Sequence, residues 1–63
     1  SAAIRHVTAE DGLRLRTGAG TNYDTIYTLP YGCPVVVHHA EKDWCYVEFN
    51  GTYGWMSSEY LAA

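Results

Sequence analysis

Apolar and polar side chains alternate one by one in several short stretches of this chain, as expected of strands that bury one face. Leu13-Arg14-Leu15-Arg16 is the plainest case. Val35-Val36-Val37-His38 is the most strand-like run, and Val35 and Val37 share its inward face. Trp44-Cys45-Tyr46-Val47-Glu48-Phe49 alternates again, with Cys45, Val47 and Phe49 predicted inward and Trp44, Tyr46 and Glu48 outward. Residues 4–7, 25–29 and 52–56 complete the set of predicted strands, with the fourth strand running over 34–39. No stretch keeps apolar residues at helical spacing for long enough to predict a helix. Residues 57–61 suit a single helical or 3₁₀ turn capped by Ser57 or Ser58.

Turn chemistry punctuates the runs. Asn50-Gly51 is the strongest short hairpin signal a sequence carries, because both central positions need positive φ. Residues 17–22, Thr-Gly-Ala-Gly-Thr-Asn, read as a long irregular loop. Pro30-Tyr31-Gly32 stops one strand and Glu41-Lys42-Asp43 reverses another. Short strands at this spacing predict an all-β fold, a small SH3-like barrel of five to six short antiparallel strands.

Size changes the picture next. A chain of 63 residues is read as one domain over 1–63, and at this length only about 60% of the unfolded chain's surface becomes buried. A deep catalytic cleft does not fit in so little material. The net charge of -3, with only Arg5, Arg14, Arg16 and Lys42 basic, lacks the basic stripe that phosphate binding needs, so no nucleic acid is expected as partner. No apolar run approaches the roughly 20 residues that span a bilayer, so no membrane partner is expected. The start of the chain has no signal pattern, and the chain reads as a piece of a longer, secreted precursor.

Cys33 and Cys45 are the two cysteines, an even number that suits one disulfide in an extracellular protein. A turn centred near Glu41 places Cys33 opposite Phe49 and Cys45 opposite Val37. Four residues of offset separate them by roughly 13 Å at strand rise, beyond disulfide reach unless the sheet curls strongly. Bridge and pair of small buried hydrophobes both stay open.

The ordered set Gly12-Leu13-Arg14-Leu15-Arg16-Thr17-Gly18-Ala19-Gly20-Thr21-Asn22-Tyr23, Ile26, Leu29, Gly32, Val35, Trp44-x-x-Val47, Asn50-Gly51-x-x-Gly54-Trp55 and Tyr60-Leu61 resembles the bacterial-type SH3 pattern over about positions 4–61. Arg14 and Ala19 stand where that family commonly has Asn and Pro, a departure that touches the loop after Gly18. The resemblance implies a barrel that sits, often in tandem copies, beside secreted peptidoglycan hydrolases such as muramidases, amidases and endopeptidases. Such modules bind wall glycans or peptides and perform no catalysis.

The aromatic surplus, six Tyr, two Trp and one Phe, points to a ligand with flat apolar faces and polar rims, as sugars have. Tyr and Trp supply rigid contact area together with a polar handle. Tyr27, Tyr31, Trp44 and Tyr46 lead the candidate platform, with Tyr53 across the Asn50-Gly51 hairpin. Tyr27, Tyr31 and Tyr46 fall where the resemblance tolerates small or charged residues, which frees them for a ligand. Asn22, Asp24, Asp43 and Glu48 are candidate hydrogen-bonding rims. Against this stands the plainer reading of each exposed tyrosine as a strand former shielding a thin core. Trp55, Tyr23 and Tyr60 match family positions that read as structural. Arg16 reads first as a donor to loop carbonyls or an ion-pair partner, and second as a contact for a ligand carboxylate.

Enzymatic readings find little support. Cys33 and Cys45 read as inward, while a thiolate nucleophile needs an open setting with a nearby imidazole. His38 and His39, adjacent on a strand, are expected to point to opposite faces and so not to share a metal ion, and His6 stands alone. No cofactor, metal site or catalytic residue is assigned. The sequence thus predicts a module that holds a linked wall hydrolase, muramidase or lysozyme-like, on peptidoglycan or chitin-type N-acetylglucosamine glycan. The alternatives are recognition of the wall's stem or cross-bridge peptide, and a structural module packing on its own catalytic domain.

Overall fold

The alternating stretches fold as strands, and every pairing between them is antiparallel. The computed structural model describes residues 3–63. Its elements are β1 (Ala3–Val7), β2 (Leu13–Arg16), β3 (Thr25–Leu29), β4 (Pro34–Ala40), β5 (Trp44–Phe49), β6 (Thr52–Ser57), a 3₁₀ turn (Ser58–Tyr60) and β7 (Leu61–Ala62). They form one sheet in the order β3-β2-β6-β5-β4-β1-β7. Each strand sends at least one side chain into the same core, namely Val7, Leu15, Leu29, Val35, Val37, Cys45, Val47, Met56 and Leu61. A single sheet can bring one face of seven strands to one cluster only by curling on itself, so this is a small barrel.

Seven strands stand where five to six were expected. The addition is β7, whose two residues pair with His6 and Val7 of β1. Two residues are too few to show alternation, so the sequence gives no periodic signal there. The 3₁₀ turn before β7 forms as expected, but Ser57 makes no side-chain cap bond. The Ser58 hydroxyl instead donates to the Glu41 carbonyl oxygen at 3.1 Å.

Asn50 and Gly51 take φ values of 51° and 85°, the left-handed pair of a two-residue hairpin turn. They hold β5 and β6 in unbroken register from Trp44↔Ser57 to Phe49↔Thr52. Where β6 meets β2, only Arg16↔Trp55 pairs. Gly54 allows that approach, since a Cβ there would lie 2.7 Å from the Arg16 carbonyl oxygen and 3.0 Å from Leu15 Cδ1.

The β4–β5 hairpin departs from expectation in a way that matters for the outer face. β4 continues through Ala40, and the chain reverses at residues 41–43, where the Glu41 amide donates to the Trp44 carbonyl at 2.8 Å. Cys45 therefore faces Ala40, and Val37 faces Val47. Both cysteines are free, Cys33 half-buried and Cys45 fully buried. The register also slips between Val37 and His39, leaving His38 as the extra residue of a bulge. Such an insertion breaks the strict two-residue alternation. His38 and His39 consequently both reach aromatic residues of the outer face, a correction to the opposite-face expectation.

Candidate functional site

β4, β5 and β6 are the central strands of the sheet, and their outward positions carry rings. Tyr46 of β5 lies between two aromatic neighbours on β6. Its ring is stacked 6.0 Å from Tyr53, with 27° between planes, and 5.1 Å from Trp55 at a 50° tilt. The bulge adds an imidazole at each end, with His38 5.4 Å from Tyr53 and His39 6.5 Å from Trp55. Five rings thus run as one strip across three strands. Tyr53 is half exposed, so the strip presents aromatic surface to solvent.

Two carboxylates edge this strip. Glu48 Oε1 lies 2.9 Å from His38 Nε2, and Glu41 Oε2 lies 3.1 Å from His39 Nε2. Glu48 also sits directly across from Tyr53 in the β5–β6 register. It pushes the Tyr53 hydroxyl above its ordinary pKa, first by hydrogen bonding to the neutral hydroxyl and then by its charge. Flat rings bordered by positioned acceptors form the pattern that suits a saccharide, whose C–H faces stack while its hydroxyls donate.

The structure gathers only part of the predicted platform. Tyr46, Tyr53 and Glu48 come together. Trp44 shares the outward set of β5 but lines a neighbouring groove with Ser57 and Tyr60. Tyr27 lies opposite Leu15 on β3, on the inward set, with its ring edge-on to Phe49 at 6.1 Å and its hydroxyl 3.5 Å from the Phe49 carbonyl. It covers one end of the barrel. Tyr31 is 65% exposed in the turn before β4, beside Thr8 and Glu10, away from the strip. Asn22 and Asp24 belong to the exposed β2–β3 loop, where the Asp24 carbonyl accepts from the Thr17 amide at 2.9 Å. Asp43 lies in the β4–β5 turn, and its carbonyl accepts from the Ser58 amide at 2.9 Å.

Trp55, His38, His39 and Glu41 join the strip without having been predicted there. Trp55 was legible, since it lies two residues from Tyr53 on an alternating strand and so shares its face. The histidines were not, because their common face depends on the bulge.

A second feature adjoins the strip. A groove of about 500 Å³ runs between β2 and the end of β5, lined by Leu13, Arg14, Thr28, Trp44, Ser57 and Tyr60. Arg16 contributes to its wall, but its Nη1 donates to the carbonyl oxygens of Thr21 and Tyr23, both at 3.1 Å. That matches the structural reading of Arg16. Tyr23 in turn lies against Gly18, where a Cβ would fall 2.4 Å from its ring. Arg14 is exposed and, among the described residues, makes no side-chain hydrogen bond or ion pair.

The Cys45 thiol is enclosed. Arg5 Nη1 donates to its sulfur at 3.4 Å, and the Ser58 hydroxyl lies 3.3 Å from it. Since that hydroxyl spends its proton on Glu41, the thiol is the donor to Ser58. Among the described residues, no three His, Cys, Asp or Glu side chains converge as a metal site requires.

Comparison with known proteins adds a family and a relative. The family described as "Bacterial SH3 domain" matches residues 11–62. A Bacillus subtilis (strain 168) protein named "Putative N-acetylmuramoyl-L-alanine amidase YrvJ" is 36% identical over 58 residues. That match covers 90% of this chain and 11% of the relative, so the chain spans about a tenth of the protein it resembles.

Proposed function

The chain belongs to the bacterial SH3 domain family, and from that premise we propose that it is a non-catalytic cell-wall binding module whose outer aromatic strip lies against the glycan of peptidoglycan. The observation that carries this reading is the placement of Tyr46 between Tyr53 and Trp55 on an exposed face, with Glu48 fixed beside them. A core does not require three large rings on its outside. The amidase relative supports a linked peptidoglycan hydrolase in an extracellular setting. Whether that enzyme cuts glycan, as a muramidase does, or amide bonds, the module's part is the same: it holds the enzyme on an insoluble polymer. Chitin belongs to the same ligand class because it shares N-acetylglucosamine.

A strip this shallow gives single-site affinity on the order of tens of micromolar to millimolar. Linkage to an enzyme or to further copies raises the effective concentration at the wall without any new contact. Retention of the isolated chain on chitin and on purified wall, lost in Tyr46→Ala, is the expected result. Retention only on wall that carries peptide removes the glycan reading.

The groove supports a second reading. Its Arg14 guanidinium, unpaired among the described residues and beside the Trp44 and Tyr60 rings, suits a peptide that ends in a carboxylate, with Asp11 in the same groove to meet a basic group of that peptide. Under that reading Arg14→Gln abolishes wall retention while Tyr46→Ala leaves it intact.

A further inference from the structure

The strip carries an arrangement that aromatic stacking does not need: an imidazole at each end, each against its own carboxylate. His38 faces Tyr53 and Glu48, and His39 faces Trp55 and Glu41. Both pairs exist on one face because of the bulge at His38, so a regular β4 would not build them. The other charged groups nearby are occupied or directed elsewhere. On β1, which packs against β4, Arg5 gives its guanidinium to the Cys45 sulfur at 3.4 Å, and His6 pairs with Pro34 and Ala62 at the other end of β4. Arg16, opposite Trp55 on β2, gives its guanidinium to the carbonyls of residues 21 and 23. Lys42 and Asp43, in the turn that follows Glu41, line a separate recess with Ser58 and Glu59. The Tyr53 hydroxyl, which Glu48 pushes above its ordinary pKa, adds no charge near neutrality. Among the described residues, what sets the charge of the strip is therefore two carboxylates and two imidazoles.

We propose that the His38–Glu48 and His39–Glu41 pairs select the ligand by its charge, so that the strip binds acidic saccharides more weakly while the imidazoles are neutral than once the imidazoles are protonated. This rests on the glycan reading of the strip. With neutral imidazoles, neither carboxylate at the ring edges has a Lys or Arg partner among the described residues, and an anionic sugar laid on Tyr46 and Tyr53 meets like charge at close range. Imidazole changes charge between pH 5 and 8, the interval in which no other unperturbed side chain does. Protonation turns each pair into an ion pair and cancels the strip's net charge. A neutral saccharide experiences little of this change. In wall glycan the lactyl carboxyl is neutral where it is amide-bonded to peptide and anionic where that peptide has been removed, so the pairs distinguish bare strands from peptide-bearing ones.

The test is a chemical-shift titration of the 63-residue chain with two tetrasaccharides at pH 8 and at pH 5.5. One is a neutral N-acetylglucosamine oligomer, and the other is an alternating oligomer of equal length with lactyl carboxylates and no peptide. The Kd of the acidic oligomer is expected to fall about three- to tenfold on acidification, the scale of removing like charge at an exposed site, and that of the neutral one to change less than twofold. In H38Q/H39Q the ratio of the acidic oligomer's two Kd values is expected to collapse to about one. E41Q/E48Q is expected to bind the acidic oligomer at pH 8 as tightly as the parent does at pH 5.5. An acidic-oligomer Kd that ignores pH in the parent, or a pH response that survives in H38Q/H39Q, overturns the inference while leaving the glycan reading standing. Failure of both oligomers to shift Tyr46, Tyr53 and Trp55 at either pH overturns both.

Discussion

Gly54 and Cys33 show how single positions constrain this barrel. A methyl group at position 54 would meet the backbone oxygen of Arg16 at 2.7 Å, and backbone cannot rotate away as a side chain can. Gly54→Ala is expected to cost about 1–3 kcal/mol, the range for forced overpacking, measured as a lower urea midpoint. Burial raises the Cys33 thiol above its ordinary value, so the folded chain keeps its proton at a pH where the unfolded chain begins to lose it. The stability from this site is therefore complete below about pH 9 and is lost as pH rises through the native value. Denaturation midpoints between pH 8 and 10.5 are expected to fall more steeply for the parent than for Cys33→Ala. Equal slopes would show that the site contributes nothing. Arg16 was readable as a donor to loop carbonyls because it alternates with core leucines just before a turn-rich loop that has many carbonyls to satisfy.

At the scale of elements, the Asn50-Gly51 turn and the bulge at His38 mark the two limits of what alternation discloses. The turn was legible because two left-handed residues in sequence leave few alternatives, and the register of β5 against β6 follows from it. Gly51→Val forces a β-branched side chain to φ near 85° and is expected to lower stability by about 1–2 kcal/mol in urea denaturation, with an unchanged m-value. The bulge was not legible. A run such as Val36-Val37-His38-His39 reads equally well as a regular strand, and only pairing against β5 shows that one residue is extra. Cys45 was misplaced for a separate reason, since β4 continues through Ala40 and the chain reverses later than a turn centred near Glu41 requires, which sets Cys45 against Ala40. β7 escaped for another reason, since its two residues are defined by partners in β1 and by no pattern of their own.

On the scale of the whole molecule, the barrel was legible from the number and spacing of short alternating runs, whereas the site was only half legible. Outwardness could be read for Tyr46, Tyr53 and Glu48, but which outward residues converge depends on strand order. Tyr27 belongs to the inward set of β3, and Tyr31 sits in the turn before β4 beside Thr8 and Glu10, so exposure alone could not bring them to the strip. Because the strip is shallow, binding strength at the wall is expected to come from copy number. Two copies joined by a flexible linker are expected to be retained on chitin beads about a hundredfold more tightly than one, and equal retention of one and two copies would argue against a repeating polymer as ligand.

The central claim is that the five-ring strip, and not the groove beside it, is where wall glycan lies. Mapping amide and indole chemical shifts of the chain during addition of N-acetylglucosamine tetramer tests this directly. The expected result is progressive shifts at Tyr46, Tyr53, Glu48 and the Trp55 indole, with Arg14 and Tyr60 still. Shifts centred on Arg14, Trp44 and Tyr60, or none at all at millimolar tetramer, would contradict it.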